Sequence, residues 1–286
     1  MTGRVAVTGS SGKLGREVVR ELTEHGWTVH GFDLAPPAVP VGSFTRIDLT
    51  DLGQVVEAFT GIDELHGGVD AVVHLAAIPG ATMAANTATF TNNLTSTYDV
   101  FTAARLAGVR NIVWASSETL LGYPFVDTVP PYVPMDEDYP AQGNVAYSMA
   151  KVLEEELARQ HTRRDSGLKM IGLRFSNVIA PGGYADFPDF DADPSNRRWN
   201  LWSYIDARDA ATACRLALEA DLDGFEAINI AAADTVMTTP SAELMRREFP
   251  AVPVRTPLEG PQSLTSIAKA QRLLGWTPTH SWRTEN

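Results

Sequence analysis

The chain has 286 residues, enough for one large α/β domain or for a nucleotide-binding core with a smaller partner. At 44% hydrophobic and 20% charged it can bury a sizeable core. A formal net charge of −12 excludes a broad basic face for nucleic acid or anionic membrane and fits a soluble protein acting on a small molecule.

One cysteine, Cys214, leaves no internal disulfide to form. It lies in Ala-rich helical sequence from Ala210 to Ala217 and reads as a buried structural thiol in a reducing cytoplasm. The opening run from Met1 to Gly9 is too short, and too soon broken by glycine, for a secretory core. The stretch from Ala71 to Ala85 is interrupted by His74, Pro79 and Gly80, so it is too short to span a bilayer. Six histidines without metal-ligand spacing give no zinc motif, and no metal is expected.

In chain order, short β-branched runs alternate with amphipathic helical stretches, the pattern of a parallel sheet covered on both faces. Strands are predicted at Arg4–Thr8, Thr28–Phe32, Ser43–Ile47, Ala71–Leu75, Asn111–Ala115, Met170–Phe175 and Ala227–Ile230. Leu14, Val18, Val19 and Leu22 recur at helical spacing and stop at His25-Gly26, a C-cap signal. Phe90–Leu106 reads as a longer helix closed by Gly108, and Tyr147–His161 as another with its charges facing outward. Residues 180–200 hold four Pro or Gly residues between Pro181 and Pro188, then Pro194, and read as a long loop. Two short helical patterns follow, at Ser241–Phe249 and Leu264–Leu274. The fold class expected is α/β, a doubly wound parallel sheet with a smaller C-terminal substrate-binding lobe. The nucleotide-binding domain takes residues 1–177 and is rejoined by about 204–232, while 178–203 and 233–286 form the lobe.

Between the first strand and the first helix lies Gly9-Ser10-Ser11-Gly12-Lys13-Leu14-Gly15. Glycines there let the backbone turn tightly and approach a pyrophosphate, whose charge meets the free N–H groups of the helix N-terminus. The spacing, G-x-x-G-x-x-G, is one residue longer than the common dinucleotide fingerprint. Asp33 closes the second strand about 20 residues on, where a carboxylate accepts from the adenosine ribose hydroxyls. Against the 2′-phosphate of NADP, like charges about 4 Å apart cost roughly 4 kcal/mol at a surface-like dielectric. No arginine follows Asp33 at once, so NAD is the cofactor expected. An ATP-type phosphate loop is disfavoured because Gly12-Lys13 precedes Leu14 and not Ser or Thr.

Tyr147-Ser148-Met149-Ala150-Lys151 places a phenol and an ammonium four residues apart, on one helix face. An unaided tyrosine, with pKa near 10, is about 0.1% ionised at neutral pH. Bringing it down by about three pH units needs roughly 4 kcal/mol. An ammonium roughly 4 Å away in a partly desolvated site supplies energy of that order. Ser116-Ser117-Glu118 follow the fifth strand, at the carboxyl edge of the sheet where ligands of open α/β sheets bind. Each motif has a bland alternative: a plain strand-to-helix turn, an exposed helix pair, a serine cap.

Taken in this order, the motifs resemble the extended short-chain dehydrogenase/reductase family, also called the NAD-dependent epimerase/dehydratase family, a Rossmann-type class. The resemblance covers nearly the whole chain. Thr8 to Gly15 is similar to its TGxxGxxG turn, Asp48-Leu49 to its adenine contact, and His74-Leu75-Ala76-Ala77 to its cofactor wall. Asn93 matches its helix asparagine, Ser117 its active-site serine or threonine, and Tyr147 with Lys151 its catalytic pair. Leu173-Arg174-Phe175-Ser176-Asn177-Val178 resembles the segment beside nicotinamide and substrate. Tyr204 to Asp209 and Leu273 to Pro278 resemble its YIDVRD and LLGWxP elements. The resemblance implies a cofactor site of Gly9, Ser11, Gly12, Lys13, Leu14, Gly15, Asp33, Asp48, Leu49, Leu75, Ala76, Ala77, Asn93, Ser116, Tyr147, Lys151, Phe175, Asn177 and Val178. It implies that Tyr147 takes a substrate proton while hydride leaves for the nicotinamide, that Lys151 also holds the nicotinamide ribose, and that the protein is a homodimer.

Only about 135 residues follow Lys151, fewer than nucleotide-sugar epimerases of the family usually carry. Asn196-Arg197-Arg198-Trp199-Asn200-Leu201-Trp202-Ser203 is similar to a stretch of the small uronate dehydrogenases, implying that Arg197 or Arg198 pairs with a substrate carboxylate. Glu118 would repel such an acid, which keeps neutral aldoses and polyols open. The substrate residues expected are Ser117, Glu118, Asn177, Arg197 and Arg198. The main expectation is a dehydrogenase of a sugar or sugar acid. A nucleotide-sugar epimerase or dehydratase with retained NAD is the alternative, and an NAD-sensing regulator without chemistry is a third.

Overall fold

The computed structural model describes residues 3–61, 67–80 and 83–285. Met1, Thr2, Ala81 and Thr82, which fall in the two apolar stretches weighed above, lie outside the described residues.

Seven strands form one parallel sheet in the order β3-β2-β1-β4-β5-β6-β9. They are β1 (Arg4–Thr8), β2 (Thr28–Asp33), β3 (Ser43–Arg46), β4 (Ala71–His74), β5 (Asn111–Ser117), β6 (Lys169–Phe175) and β9 (Gly224–Ile230). All seven fall where the sequence placed strands, within three residues at either end. Their alternate residues feed two separate cores, which is why they read as unbroken apolar runs. Val5, Val7, Val73 and Ile171 pack under α1 (Lys13–Glu24) and α5 (Ala207–Glu219). Ala6, Val72, Ile112 and Met170 pack under α2 (Leu52–Thr60), α3 (Asn86–Leu106) and α4 (Ala146–Arg164). The strand order reverses between β1 and β4, and a crevice opens at the carboxyl ends of such a pair.

A third apolar cluster lies beyond that edge. It joins Leu121, Tyr123, Val133 and Met135 to Tyr184, Trp202, Tyr204, Leu244, Leu264 and Trp282. The short pair β7 (Val178–Ile179) and β8 (Ile205–Asp206) links it to the main sheet.

Four local expectations are corrected. The helix α2 was not predicted, although Asp51 caps it by accepting from the backbone of Gly53 and Gln54. Residues 180–200 are two 3-10 turns, Phe187–Ala192 and Pro194–Asn200, each with proline in its first turn. The last helix, α7 (Ala268–Leu274), starts later than predicted because residues 264–266 run extended: the Leu264 carbonyl accepts from Met135 N at 2.8 Å. Finally, α4 carries only part of its charge outward: Glu156, Arg159, Arg163 and Arg164 are exposed as expected. Lys151, Glu154 and Glu155 are buried, whereas Leu153 is exposed.

Candidate active site

The glycine turn sits at the end of β1. Gly9 has φ +68, and a Cβ there would meet the backbone N of Ala76 at 2.7 Å, so turn and β4 wall touch. A Cβ on Gly15 would lie 2.0 Å from the Gly9 carbonyl oxygen; the first turn of α1 packs directly on the loop. Gly12 caps α1 with no side-chain hydrogen bond and no acid in the first turn, so the helix N-terminus faces the crevice with uncancelled partial positive charge. Ser10 Oγ is buried without a partner. At the rim, Asp33 accepts from Ser11 N at 3.0 Å and from Leu34 N at 2.7 Å, which aims its carboxylate beside the turn. A cradle that only glycine fits, a bare helix N-terminus and a carboxylate at the end of β2 together fit a dinucleotide.

Several residues expected at the cofactor have other commitments. Lys13 Nζ donates to the Val178 carbonyl at 2.9 Å, tying the turn to β7 with one of its three donors. Leu14 packs against the first core. Asn93 is buried and spends its amide on Ile78, accepting from N at 2.8 Å and donating to O at 3.0 Å, so it holds the loop after β4. Ser116 donates inward to Glu155 at 2.7 Å, leaving only its backbone toward the crevice. Asp48 is exposed, with one oxygen engaged by Thr50 N and Oγ1, while Leu49 is buried in the second core. Leu75, Ala76 and Ala77 are half-buried along the β4 edge, and Phe175, Asn177 and Val178 continue β6 into the crevice.

The chemistry-bearing groups meet at the end of β5. Ser148 Oγ accepts from Val145 N at 3.0 Å, fixing the first turn of α4 and with it Tyr147. Glu155 receives both Arg174 Nε and Nη2 at 2.8 Å, clamping α4 to β6 through a buried pair. Lys151 is buried, with Nζ 2.8 Å from the Ala115 carbonyl, 2.8 Å from Glu154 Oε2 and 5.9 Å from the Tyr147 ring centre. The Ser117 hydroxyl accepts from Thr119 N at 3.2 Å and Thr119 Oγ1 at 2.9 Å, and it lies near enough to the Tyr147 phenol to favour the ionised form. His74 is locked between Thr8 Oγ1 (2.7 Å) and Thr97 Oγ1 (3.1 Å). Burial, helped by the Lys151 charge, pushes its pKa down to about 3, so it is neutral.

One electrostatic expectation is reversed. Lys151 pulls the Tyr147 phenol toward ionisation, as reasoned from the sequence, but desolvation is larger and leaves its pKa above the ordinary tyrosine value. Glu154 adds to that rise. Sequence reading missed Glu154, Glu155 and Thr97. The spacing of Lys151 and Glu154, three residues apart on a helix, was the available signal.

Of the two arginines, Arg197 lies beside Asn177 and Glu118. Its guanidinium lies 3.0 Å from the Ser203 carbonyl and 3.0 Å from Asn177 Oδ1, stacked near Phe190 and Trp199. Arg198 points away, over the Phe249 ring at 4.5 Å, with Nε 3.9 Å from Glu248. Glu118 is buried and accepts from Asn200 Nδ2 at 3.0 Å, while its Oε2 has no partner. Desolvation raises its pKa to about 7 against the opposing pull of Asn200, Ser176, Arg197 and the backbone of Asn177. The loop carrying Arg197 and Asn200 ends in two left-handed residues, Leu201 (φ 54) and Trp202 (φ 56). Packing of both side chains in the third cluster holds that strain.

Fold and site together define a dinucleotide-binding α/β protein with a tyrosine–lysine pair at the carboxyl edge of its sheet. Residues 5–231 match the model of the NAD dependent epimerase/dehydratase family, and the chain belongs to that family. It is 28% identical over 316 residues to a UDP-glucose 4-epimerase of Corynebacterium glutamicum, covering 97% of this chain and 92% of the relative. It is 28% identical over 224 residues to UDP-glucose 4-epimerase 2 of Arabidopsis thaliana, covering 72% of this chain but only 59% of that one. Among solved structures it resembles a UDP-galactose 4-epimerase (TM-score 0.69, 26% identity, 97% of this chain and 94% of that chain). It also resembles a short-chain dehydrogenase/reductase superfamily protein from Agrobacterium tumefaciens with bound NAD (TM-score 0.73, 26% identity, 97% and 93%).

Proposed function

We propose that this chain binds NAD and interconverts a nucleotide sugar by transient oxidation of a sugar hydroxyl, keeping the cofactor bound. The observation that carries the reading is the meeting of Ser117, Tyr147 and Lys151 at the end of β5, next to the glycine turn. Gly9, Ser11, Gly12 and Gly15 would cradle the diphosphate and Asp33 would receive the adenosine ribose, while Lys151 would reach the nicotinamide ribose. When bound, NAD supplies the hydride acceptor. Tyr147 in its ionised form would take the proton from the substrate hydroxyl, Ser117 would orient that oxygen, and the phenol so formed would give the proton back to it. The similarity to UDP-glucose 4-epimerases over nearly the whole chain supports nucleotide sugars over free ones.

A net dehydrogenase of a free sugar or sugar acid is the second reading, favoured by Arg197 standing beside Glu118, Asn177 and Asn200. Incubating the protein with NAD and a panel of UDP-sugars, aldoses and uronates separates them. Epimer formation on a UDP-sugar without accumulating NADH is expected. NADH growing with a free sugar, and no epimer, would replace the first reading with the second.

The lobe built on the third apolar cluster, residues 178–203 and 233–286, would close over the sugar. Exposed Tyr98 and Leu106 on α3, with exposed Met149 and Leu153 on α4, would form the face of a homodimer. Sedimentation of the protein and of a Tyr98→Glu/Leu153→Glu variant tests this, with the variant expected as monomer.

A further inference from the structure

Lys151 has company that the proton-transfer reading does not use. An ammonium has three N–H donors. Among the described residues, Ala115 and Glu154 engage it, both at 2.8 Å, leaving one donor for the crevice. Lysine and glutamate are 2% and 0% exposed. Glu154 Oε1 has no hydrogen-bond partner, so Lys151 is the ligand of this carboxylate. Toward Tyr147 the two charges then act as a compact dipole, not as a lone cation.

We propose that Glu154 is a positioning residue that sets the acid strength of Tyr147, by holding the Lys151 ammonium against Ala115 and cancelling much of its charge. This rests on Tyr147 and Lys151 being the proton-moving pair. The groups facing the cluster are few. On α4, Tyr147 and Glu155 flank it, and Glu155 is itself neutralised by Arg174 of β6. From β4 comes His74, which is neutral. From just after β5 comes Glu118, whose charge also disfavours the tyrosinate. Apart from Lys151, then, none of these groups presents an unpaired positive charge to the phenol. The raised pKa of Tyr147, to which Glu154 contributes, agrees with that arrangement.

Glu154→Gln keeps the shape and removes the negative charge, exposing Tyr147 to an uncancelled ammonium. The test reads the phenol itself in the NAD-free protein, by the tyrosinate absorbance difference between each protein and its Tyr147→Phe counterpart. The titration midpoint of Tyr147 is expected about one pH unit lower or more in Glu154→Gln. An unchanged or higher midpoint overturns the proposal. A buried lysine robbed of its partner can prevent folding. Glu154→Asp, which withdraws the carboxylate by one methylene, is then read by circular dichroism and the same titration. A smaller shift in the same direction sustains the proposal, and none overturns it. Because this measurement needs no turnover, a protein inactive on every sugar would sink the proposed function without touching this inference.

Discussion

Glu118 lends itself to a quantitative test because one substitution removes one titration. Its side chain is 4% exposed, one oxygen rests on Asn200, and the other has no partner. Desolvation lifts its pKa from an ordinary 4.5 to about 7. Between those values the folded protein keeps a proton that the unfolded chain has released. The stabilisation is therefore complete below about pH 4.5 and is lost as pH rises through 7. A gap of about 2.5 pH units at about 1.4 kcal/mol each makes the full loss about 3.5 kcal/mol. Glutamine keeps the acceptor for Asn200 and never ionises. Urea unfolding of both proteins at about pH 5 and about pH 8.5 should show Glu118→Gln gaining about 2.5 kcal/mol on the wild type across that interval, the rest of the loss falling below about pH 5. Parallel pH dependences would mean that Glu118 titrates normally, and that the pocket beside Arg197 is wetter than its burial implies.

Tyr147→Phe should keep NAD affinity, measured by fluorescence titration, and lose about two orders of magnitude in turnover or more, the scale of general acid–base catalysis. Gly15→Ala places a methyl group where the Gly9 carbonyl stands, so NAD binding should weaken at least tenfold and thermal unfolding should show a loss of about 1–3 kcal/mol. Arg197→Ala should raise the Michaelis constant about tenfold or more through loss of a charged hydrogen bond, while Arg198→Ala leaves it unchanged. Equal effects of the two arginines would show that the 3-10 turn carrying them rearranges around substrate.

The sheet was legible because its signal is local. Apolar β-branched runs such as Ala71–His74, punctuated by glycine, reveal buried parallel strands whatever surrounds them. The glycine turn was equally legible, since only backbone without a Cβ fits at Gly9 and Gly15. The helix α2 was missed because nine residues give a weak period, although its Asp51 cap was readable. Local pattern also misled at α4: Glu154 and Glu155 look like solvent-facing charges, yet each is buried against a cation, Lys151 from one turn away and Arg174 from 19 residues on.

By itself, then, the sequence determined the seven strands, the glycine turn after the first of them and the placing of Tyr147 and Lys151 on one helix face, because these depend on short-range geometry. Tertiary structure alone decided that Arg197 meets Asn177 while Arg198 turns onto Phe249, that the side chains of Ser116 and Asn93 bond Glu155 and Ile78, and that burial outweighs Lys151 in setting the acidity of Tyr147. Those outcomes depend on which charges share a low-dielectric space, and chain separation carries no record of that.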